Sequence, residues 1–235
     1  EVSRIVLEIS NFANIKSDLL GRRVLVTAGG TRESIDPVRF IGNYSTGKMG
    51  YSLAEVLADL GAQVHLVSGP VQLSLKHPNV QVYAVESALE MYDACAQLFP
   101  KCQLAIMSAA VADYRPAHKA DNKIKKQADT LQIDLVKNPD ILAHLGAIKT
   151  SEQIVVGFAL ETENELENAT QKLIKKRADA IVLNSLRDPG SGFGSDNNKI
   201  SIILPKGVIF EFPLKDKHSV AKDIIECIQD HLLHS

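Results

Sequence analysis

The sequence predicts an α/β fold: a doubly wound, mostly parallel sheet with helices on both faces and a C-terminal antiparallel hairpin. Three observations carry this expectation. Short apolar runs of strand length alternate with stretches of helical period. Several of those runs stop at small residues, as at Gly29-Gly30 and Ser68-Gly69-Pro70. Near the C-terminus, two apolar runs are separated only by Pro205-Lys206-Gly207.

Taken in order, Val2, Ile5, Val6 and Ile9 recur at helical intervals, so residues 1–20 read as a linker or junction helix. Residues 21–235 then form one domain. Arg22 to Thr27 is a short strand, and a long polar loop follows through Tyr44. Gly47 to Leu60 has the helical period, with Gly61 placed to cap it. Ala62–Val67 is a second buried strand, Val80–Val85 a third, Ala88–Leu98 a helix and Leu104–Met107 a very apolar strand. Ile154–Phe158, the helix Glu163–Arg177 and the strand Ala180–Leu183 continue the alternation. Crossovers of these lengths are right-handed and build a parallel sheet covered on both faces, a Rossmann-like architecture. In the tail, Lys199–Leu204 and Val208–Phe212 form the hairpin and residues 217–233 a closing helix.

Composition narrows the function classes. With 235 residues and 45% hydrophobic content the chain can bury one sizeable core. A net charge of −2 gives no basic field to attract nucleic acid. No apolar run is long enough to span a bilayer, and no signal peptide opens the chain. Glu1 in place of Met is expected to mark a piece of a longer polypeptide. Cys95, Cys102 and Cys227 are too few and too far apart for a disulfide framework or a zinc site. Reduced, buried thiols in a cytoplasmic compartment are the expectation.

In open parallel sheets, ligands bind beyond the carboxyl ends of the strands. Three such loops are informative: Thr27 to Glu33 with Gly29, Ser108 to Tyr114, and Gly157-Phe158-Ala159. The sharpest local signal is Gly42-Asn43-Tyr44-Ser45-Thr46-Gly47-Lys48-Met49-Gly50. It opens a helix with small residues, open backbone donors and a lysine, which is how a chain binds phosphate. The same residues also fit an ordinary Ser/Thr cap with a tight glycine turn. Gly42 to Lys48 matches GxxxxGK, but Met49 replaces the Ser or Thr that would hold magnesium in a P-loop. Tyr44 to Lys48 spells YxxxK, yet it comes after one strand rather than several βα units. No GxGxxG follows the first strand, and Val67-Ser68-Gly69 lacks the acid that would hold an NAD ribose. From Tyr114 to Val136 the chain is polar and basic, with Arg115, Lys119, Lys123, Lys125 and Lys126, a loop able to close over phosphates or simply to be solvated. Lys172 and Lys176 share one helical face, which on its own reads as a solvated one. His65 lies in an apolar strand and reads as a satisfied core residue; no other His has metal-ligand spacing.

In their order, these residues resemble the phosphopantothenate–cysteine ligase family. The matching stretches are Thr27 to Glu33 with Asp36-Pro37-Val38-Arg39, Asn43 to Gly50, Ser68-Gly69-Pro70 and Ala109 to Tyr114. Lys123 to Lys126, Val136 to Asp140, Gly157 to Ala159 with Glu161-Thr162, and Ser195 to Asn198 complete them. The resemblance implies a bacterial-type enzyme of coenzyme A synthesis that joins L-cysteine to 4′-phosphopantothenate through an acyl-cytidylate. CTP is consumed as a substrate, and Mg²⁺ accompanies its triphosphate. It implies Asn43 and Lys123 as catalytic. Gly29, Ser108, Ala109, Ala110, Asp113, Lys123, Pro139, Asp140, Ile141, Phe158, Lys172 and Lys176 would bind nucleotide. Asn43, Ser45, Thr46, Gly47 and Lys48 would bind phosphopantothenate; no metal ligands are assigned. It further implies a homodimer, with the tail hairpin as a dimer element, and a flavin-dependent decarboxylase fused ahead of residue 20 in the full-length protein. No flavin is expected in the present segment. The competing readings are an NAD(P)-dependent oxidoreductase and a non-catalytic module that binds a phosphorylated ligand.

Overall fold

The computed structural model describes residues 18–125, 130–161, 163–185 and 195–233. The junction helix expected over residues 1–20 falls almost wholly outside them. From its end, Leu19 is buried in the core.

The first half of the chain forms β1 (Arg23–Ala28), β2 (Arg32–Ser34), β3 (Phe40–Gly42), α1 (Lys48–Asp59), β4 (Gln63–Ser68), β5 (Val80–Ala84) and α2 (Ala88–Leu98). Next come β6 (Leu104–Met107), β7 (Tyr114–Pro116), β8 (Leu135–Lys137) and α3 (Ile141–Ile148). The remainder is β9 (Ile154–Glu161), α4 (Glu165–Lys176), β10 (Ala180–Ser185), β11 (Asn197–Ile203), β12 (Ile209–Asp216) and α5 (Lys217–Ile228). One sheet of eight strands runs β5-β4-β1-β6-β9-β10-β11-β12. Every pair from β5 to β10 is parallel, and β10–β11 and β11–β12 are antiparallel. The expected class is therefore the observed one. The order turns back on itself at β1, which sits between β4 and β6, and that reversal opens a crevice at the strand ends.

Period-two alternation divides the core between the two faces. Val24, Val26 and Ala28 of β1 pack with Leu53 and Leu57 of α1 and with Ile224 and Ile228 of α5. Leu25, one residue out of phase, packs with Met91 of α2 and Leu145 of α3 on the opposite face. Ile181 and Leu183 of β10 meet Ala169 and Leu173 of α4. The three cysteines are free and buried, and burial pushes the Cys95 thiol up to about 12. His65 Nδ1 lies 3.1 Å from the Tyr83 hydroxyl, and burial, with Arg23 and Lys101 nearby, lowers its pKa; it is a satisfied partner within the sheet. Among the described residues, no helix is long and apolar enough to cross a membrane.

Three expectations need correction. The polar loop expected to run through Tyr44 contains a small antiparallel hairpin, β2 with β3. Its turn is made by the buried Asp36 carboxylate, which accepts the backbone N–H groups of Val38 at 2.8 Å and Arg39 at 2.9 Å. Strands of three residues carry no readable period, so side-chain turn chemistry decides here. The basic stretch expected as a loop from Tyr114 to Val136 has strands β7 and β8 at its ends, paired antiparallel. The closing helix expected over 217–233 ends as a regular helix at Ile228 and widens into a final turn, Gln229–Leu233.

Candidate active site

The crevice beyond β1 and β6 is built by two loops stitched together. Thr27 Oγ1 accepts the Ala109 N–H at 3.1 Å, and the Thr27 carbonyl accepts the Ser108 hydroxyl at 2.6 Å. Ala110 N–H donates to the Gly29 carbonyl at 2.8 Å, and Ala112 N–H to Thr31 Oγ1 at 3.0 Å. On the far side, the buried Asn138 side chain donates to the Ala112 carbonyl at 2.8 Å, and its backbone N–H to the Asp113 carbonyl at 2.8 Å. The turn from Ser108 to Asp113 is thus fixed on both sides. Asn43 joins it, its Nδ2 donating to the Val111 carbonyl at 3.0 Å.

Opposite this turn stands the N-terminus of α1. Gly47 precedes the helix at φ 76°, a left-handed conformation that costs a Cβ-bearing residue roughly 1 kcal/mol or more. Ser87, Asp140 and Asp216 cap α2, α3 and α5 through their side chains, whereas α1 and α4 have no side-chain cap. The first-turn N–H groups of α1 are left without a side-chain acceptor, the arrangement that suits an anion.

These elements enclose a cavity of about 630 Å³. Of the residues expected from sequence, it is lined by Gly29, Asn43, Ser45, Thr46, Gly47, Lys48, Ser108, Ala109, Ala110, Asp113, Phe158 and Lys172. An adjoining cavity of about 250 Å³ takes in Pro139, Asp140, Ile141 and Lys176, and shares Ala109, Asp113, Phe158 and Lys172 with the first. The two together have the volume for a nucleotide beside a second substrate. Lys123 lines neither cavity and is exposed.

The small cavity is electrostatically dense. Lys176 pairs with Asp140, the cap of α3. Burial alone would raise the Asp140 carboxyl, but the hydrogen bonds from Lys176 and the Ala143 N–H and the charges of Lys176 and Lys172 hold it below its ordinary value. Burial lowers the Lys172 pKa; Glu161, Asp140 and Asp113 favour its charge and Lys176 opposes it. Lys172 is therefore a half-buried cation lining both cavities rather than part of a solvated helical face.

Lys123 is placed by a neighbour's backbone. Ile124 N–H donates to Asp36 Oδ2 at 3.1 Å, and Arg39 donates both to that carboxylate, through Nε at 3.0 Å, and to the Ile124 carbonyl at 2.9 Å. The Arg39 guanidinium and the Val38, Ile124 and Arg39 N–H groups outweigh burial and hold the Asp36 carboxyl well below the usual carboxylate range. A carboxylate depressed in the folded state stabilises the fold fully above its unfolded pKa, about 3.9, and less as pH falls through the folded value. Asp36→Asn is therefore expected to lower the urea midpoint at pH 7, with the gap to wild type narrowing steadily below pH 4. An equal gap at pH 7 and pH 2.5 would refute this.

Sequence reasoning missed two polar residues of the large cavity, Asn184 and Lys217. Asn184 Oδ1 is the only buried side-chain oxygen or nitrogen among the described residues with no hydrogen-bond partner. A polar residue ending the apolar strand Ala180–Leu183 at its carboxyl end was the available signal. Lys217 had none, because the β11–β12 hairpin brings it in from a distant stretch of chain.

Residues 19–232 match the family model described as DNA/pantothenate metabolism flavoprotein C-terminal domain. Among solved structures, the C-terminal domain of a Coenzyme A biosynthesis bifunctional protein CoaBC superposes with a TM-score of 0.79, at 40% identity, over 94% of this chain and 100% of that one. A curated relative, the Coenzyme A biosynthesis bifunctional protein CoaBC of Vibrio cholerae, is 42% identical over 99% of this chain and 58% of its own length. A Cysteine/Cysteine sulfinic acid decarboxylase from an unknown prokaryotic organism is 48% identical over 97% of this chain and 65% of its own length. The chain thus spans less than two thirds of the length of these curated relatives.

Proposed function

The chain belongs to the DNA/pantothenate metabolism flavoprotein C-terminal domain family, and from that premise we propose that it is a phosphopantothenate–cysteine ligase of coenzyme A synthesis using CTP. The observation that carries this reading is the convergence at one switch-point crevice of a phosphate-binding helix start, Gly47-Lys48, with Asn43, Asp113, Phe158 and Lys172.

The reaction needs two steps, because a carboxylate is a poor acyl donor until it carries a leaving group. The carboxylate oxygen of 4′-phosphopantothenate attacks the α-phosphorus of CTP, and pyrophosphate leaves with the bond electrons. The cysteine amine then attacks the acyl carbon, CMP leaves, and the amine proton passes to solvent. The N–H groups of α1 and Lys48 hold phosphoryl oxygens, and Lys172 and Phe158 flank the nucleotide. Asn43, fixed on the Ser108–Asp113 turn, positions the acyl-cytidylate. Lys123 closes over the α-phosphate, where charge develops in the first transition state. Among the described residues no three His, Cys, Asp or Glu side chains cluster to hold a metal. Magnesium would enter with the triphosphate, and Asp113, which lines both cavities, would meet the ribose or a metal-bound phosphate. A cytoplasmic homodimer is part of this reading. The outer strand β12, with Ile209 and Leu214 exposed, supports a pairing edge, and a flavin-dependent decarboxylase would precede the segment in the whole protein.

The test is pyrophosphate release with 4′-phosphopantothenate, Mg²⁺ and either CTP or ATP, with and without cysteine. Release that requires phosphopantothenate and is faster with CTP is expected. Faster release with ATP would keep the ligase and overturn the nucleotide. Folded protein releasing no pyrophosphate with either nucleotide would overturn the ligase reading in favour of a non-catalytic module that binds a phosphorylated ligand.

A further inference from the structure

Two lysines, each the first residue of its helix, converge at one end of the large cavity. Lys48 opens α1 and Lys217 opens α5, and both also face a recess of about 340 Å³ behind that end, beside Ser74 and His218. The two helices pack on the same face of the sheet. Lys217 is held on both sides of its chain: the ammonium donates to the Ser195 carbonyl at 2.5 Å, and the backbone N–H to the Asp196 carbonyl at 3.0 Å. The Asp196 carboxylate in turn pairs with Lys48, although the Asp196 side chain is 78% exposed. Burial, and then the charge of Lys48, lowers the pKa of Lys217, while Asp196 raises it.

Two ammonium groups held near one another in a partly desolvated wall repel unless an anion joins them. The chain itself supplies such an anion, the Asp196 carboxylate, through a side chain mostly in water. An exposed ion pair of that kind contributes little stability, so a phosphoryl group with more charge and three acceptor oxygens displaces it. The N-terminus of α1, without a side-chain cap, lines the same cavity, as does Asn184, whose buried Oδ1 has no hydrogen-bond partner.

Resting on the ligase reading, we propose that Lys217 and Lys48 form a two-cation clamp for a phosphoryl group of a bound substrate, with the Asp196 carboxylate as its internal stand-in. The nucleotide and the phosphorylated acid both offer that chemistry; cysteine does not.

Steady-state kinetics with each of the three substrates varied in turn test the clamp. Lys217→Met is expected to raise KM for one phosphorylated substrate about tenfold, with kcat within about threefold of wild type. KM for cysteine stays unchanged, and Lys217→Arg recovers most of the loss. A nucleotide KM that rises assigns the clamp to the triphosphate; an acid KM that rises assigns it to the substrate phosphate. Asp196→Asn moves the same KM the other way, downward. No change in either phosphorylated substrate, or an equal change in all three, overturns the proposal. Should Lys217→Met fail to fold, an unchanged or raised KM in Asp196→Asn overturns it instead. If wild type releases no pyrophosphate, the ligase reading fails separately, and binding of inorganic pyrophosphate, weakened by Lys217→Met, still decides the clamp.

Discussion

Lys123→Gln is expected to cut phosphopantothenate-dependent pyrophosphate release by about a hundredfold, the scale on which removal of one charge-stabilising donor acts. The substitution keeps a polar side chain, one atom shorter, and removes the cation that on this proposal neutralises the transferring phosphoryl oxygens. Asn43→Asp should behave differently. It loses the Nδ2 donor that ties residue 43 to the Val111 carbonyl and puts a carboxylate beside an anionic intermediate, yet leaves the first displacement chemically intact. A burst of about one pyrophosphate per site followed by a stall before amide formation is the expected signature. Rapid-quench measurement of pyrophosphate and phosphopantothenoylcysteine separates the two. If both variants turn over like wild type, neither residue has its assigned role. The exposure of Lys123 sharpens the test: its neighbour Ile124 is tied to Asp36 and Lys123 lines neither cavity, so the proposed role requires the side chain to move toward the nucleotide.

The second large effect is expected at Gly146 in α3. A Cβ there would lie 1.9 Å from the Lys176 carbonyl oxygen and 3.2 Å from that of Arg177, both backbone atoms at the end of α4. Neither can swing away as a side-chain tip could, so the helices must separate. On helix propensity alone, Gly146→Ala would gain up to about 1 kcal/mol; overpacking of this kind costs about 1–3 kcal/mol and occasionally more. A net loss of about 2 kcal/mol in urea unfolding is therefore expected, together with a raised nucleotide KM, because the displaced helix carries Lys172 and Lys176. A variant as stable as wild type would show that α3 and α4 can part without cost.

What could be read from sequence follows from the range of the forces involved. Buried parallel strands such as Leu104–Met107 write an apolar run into the chain, and helices packed on one face write a period, so the alternating architecture was legible. The strand–turn ends at Gly29 and Ser108 and the helix start at Gly47-Lys48 were legible as candidate sites for the same local reasons. The hairpin β2–β3 was not, because it rests on one carboxylate bonding its own turn and a segment beyond Pro116. Lys172 looked like a solvated residue, since nothing local shows that Asp113, Asp140 and Glu161 surround it. Lys217 and Asn184 enter the cavity only through sheet order, which no short window of sequence contains.

That sheet order also bears on how the molecule is made. β1 is the first strand among the described residues and lies inside the sheet, third of eight, with Val24 paired to Val64 on one side and to Leu104 on the other. Its second neighbour therefore emerges long after it, and the loop-closure entropy for that pairing is met before the contact returns anything. The crevice between Gly29 and Ala110 cannot exist until β6 has docked, whereas the β11–β12 hairpin can form locally. A nascent or denatured chain thus gains its ligand site at a late, long-range step. Any ligand bridging the two loops binds only after that step, so it acts as a lock on completed folding and raises the stability of the whole domain by mass action rather than that of one loop.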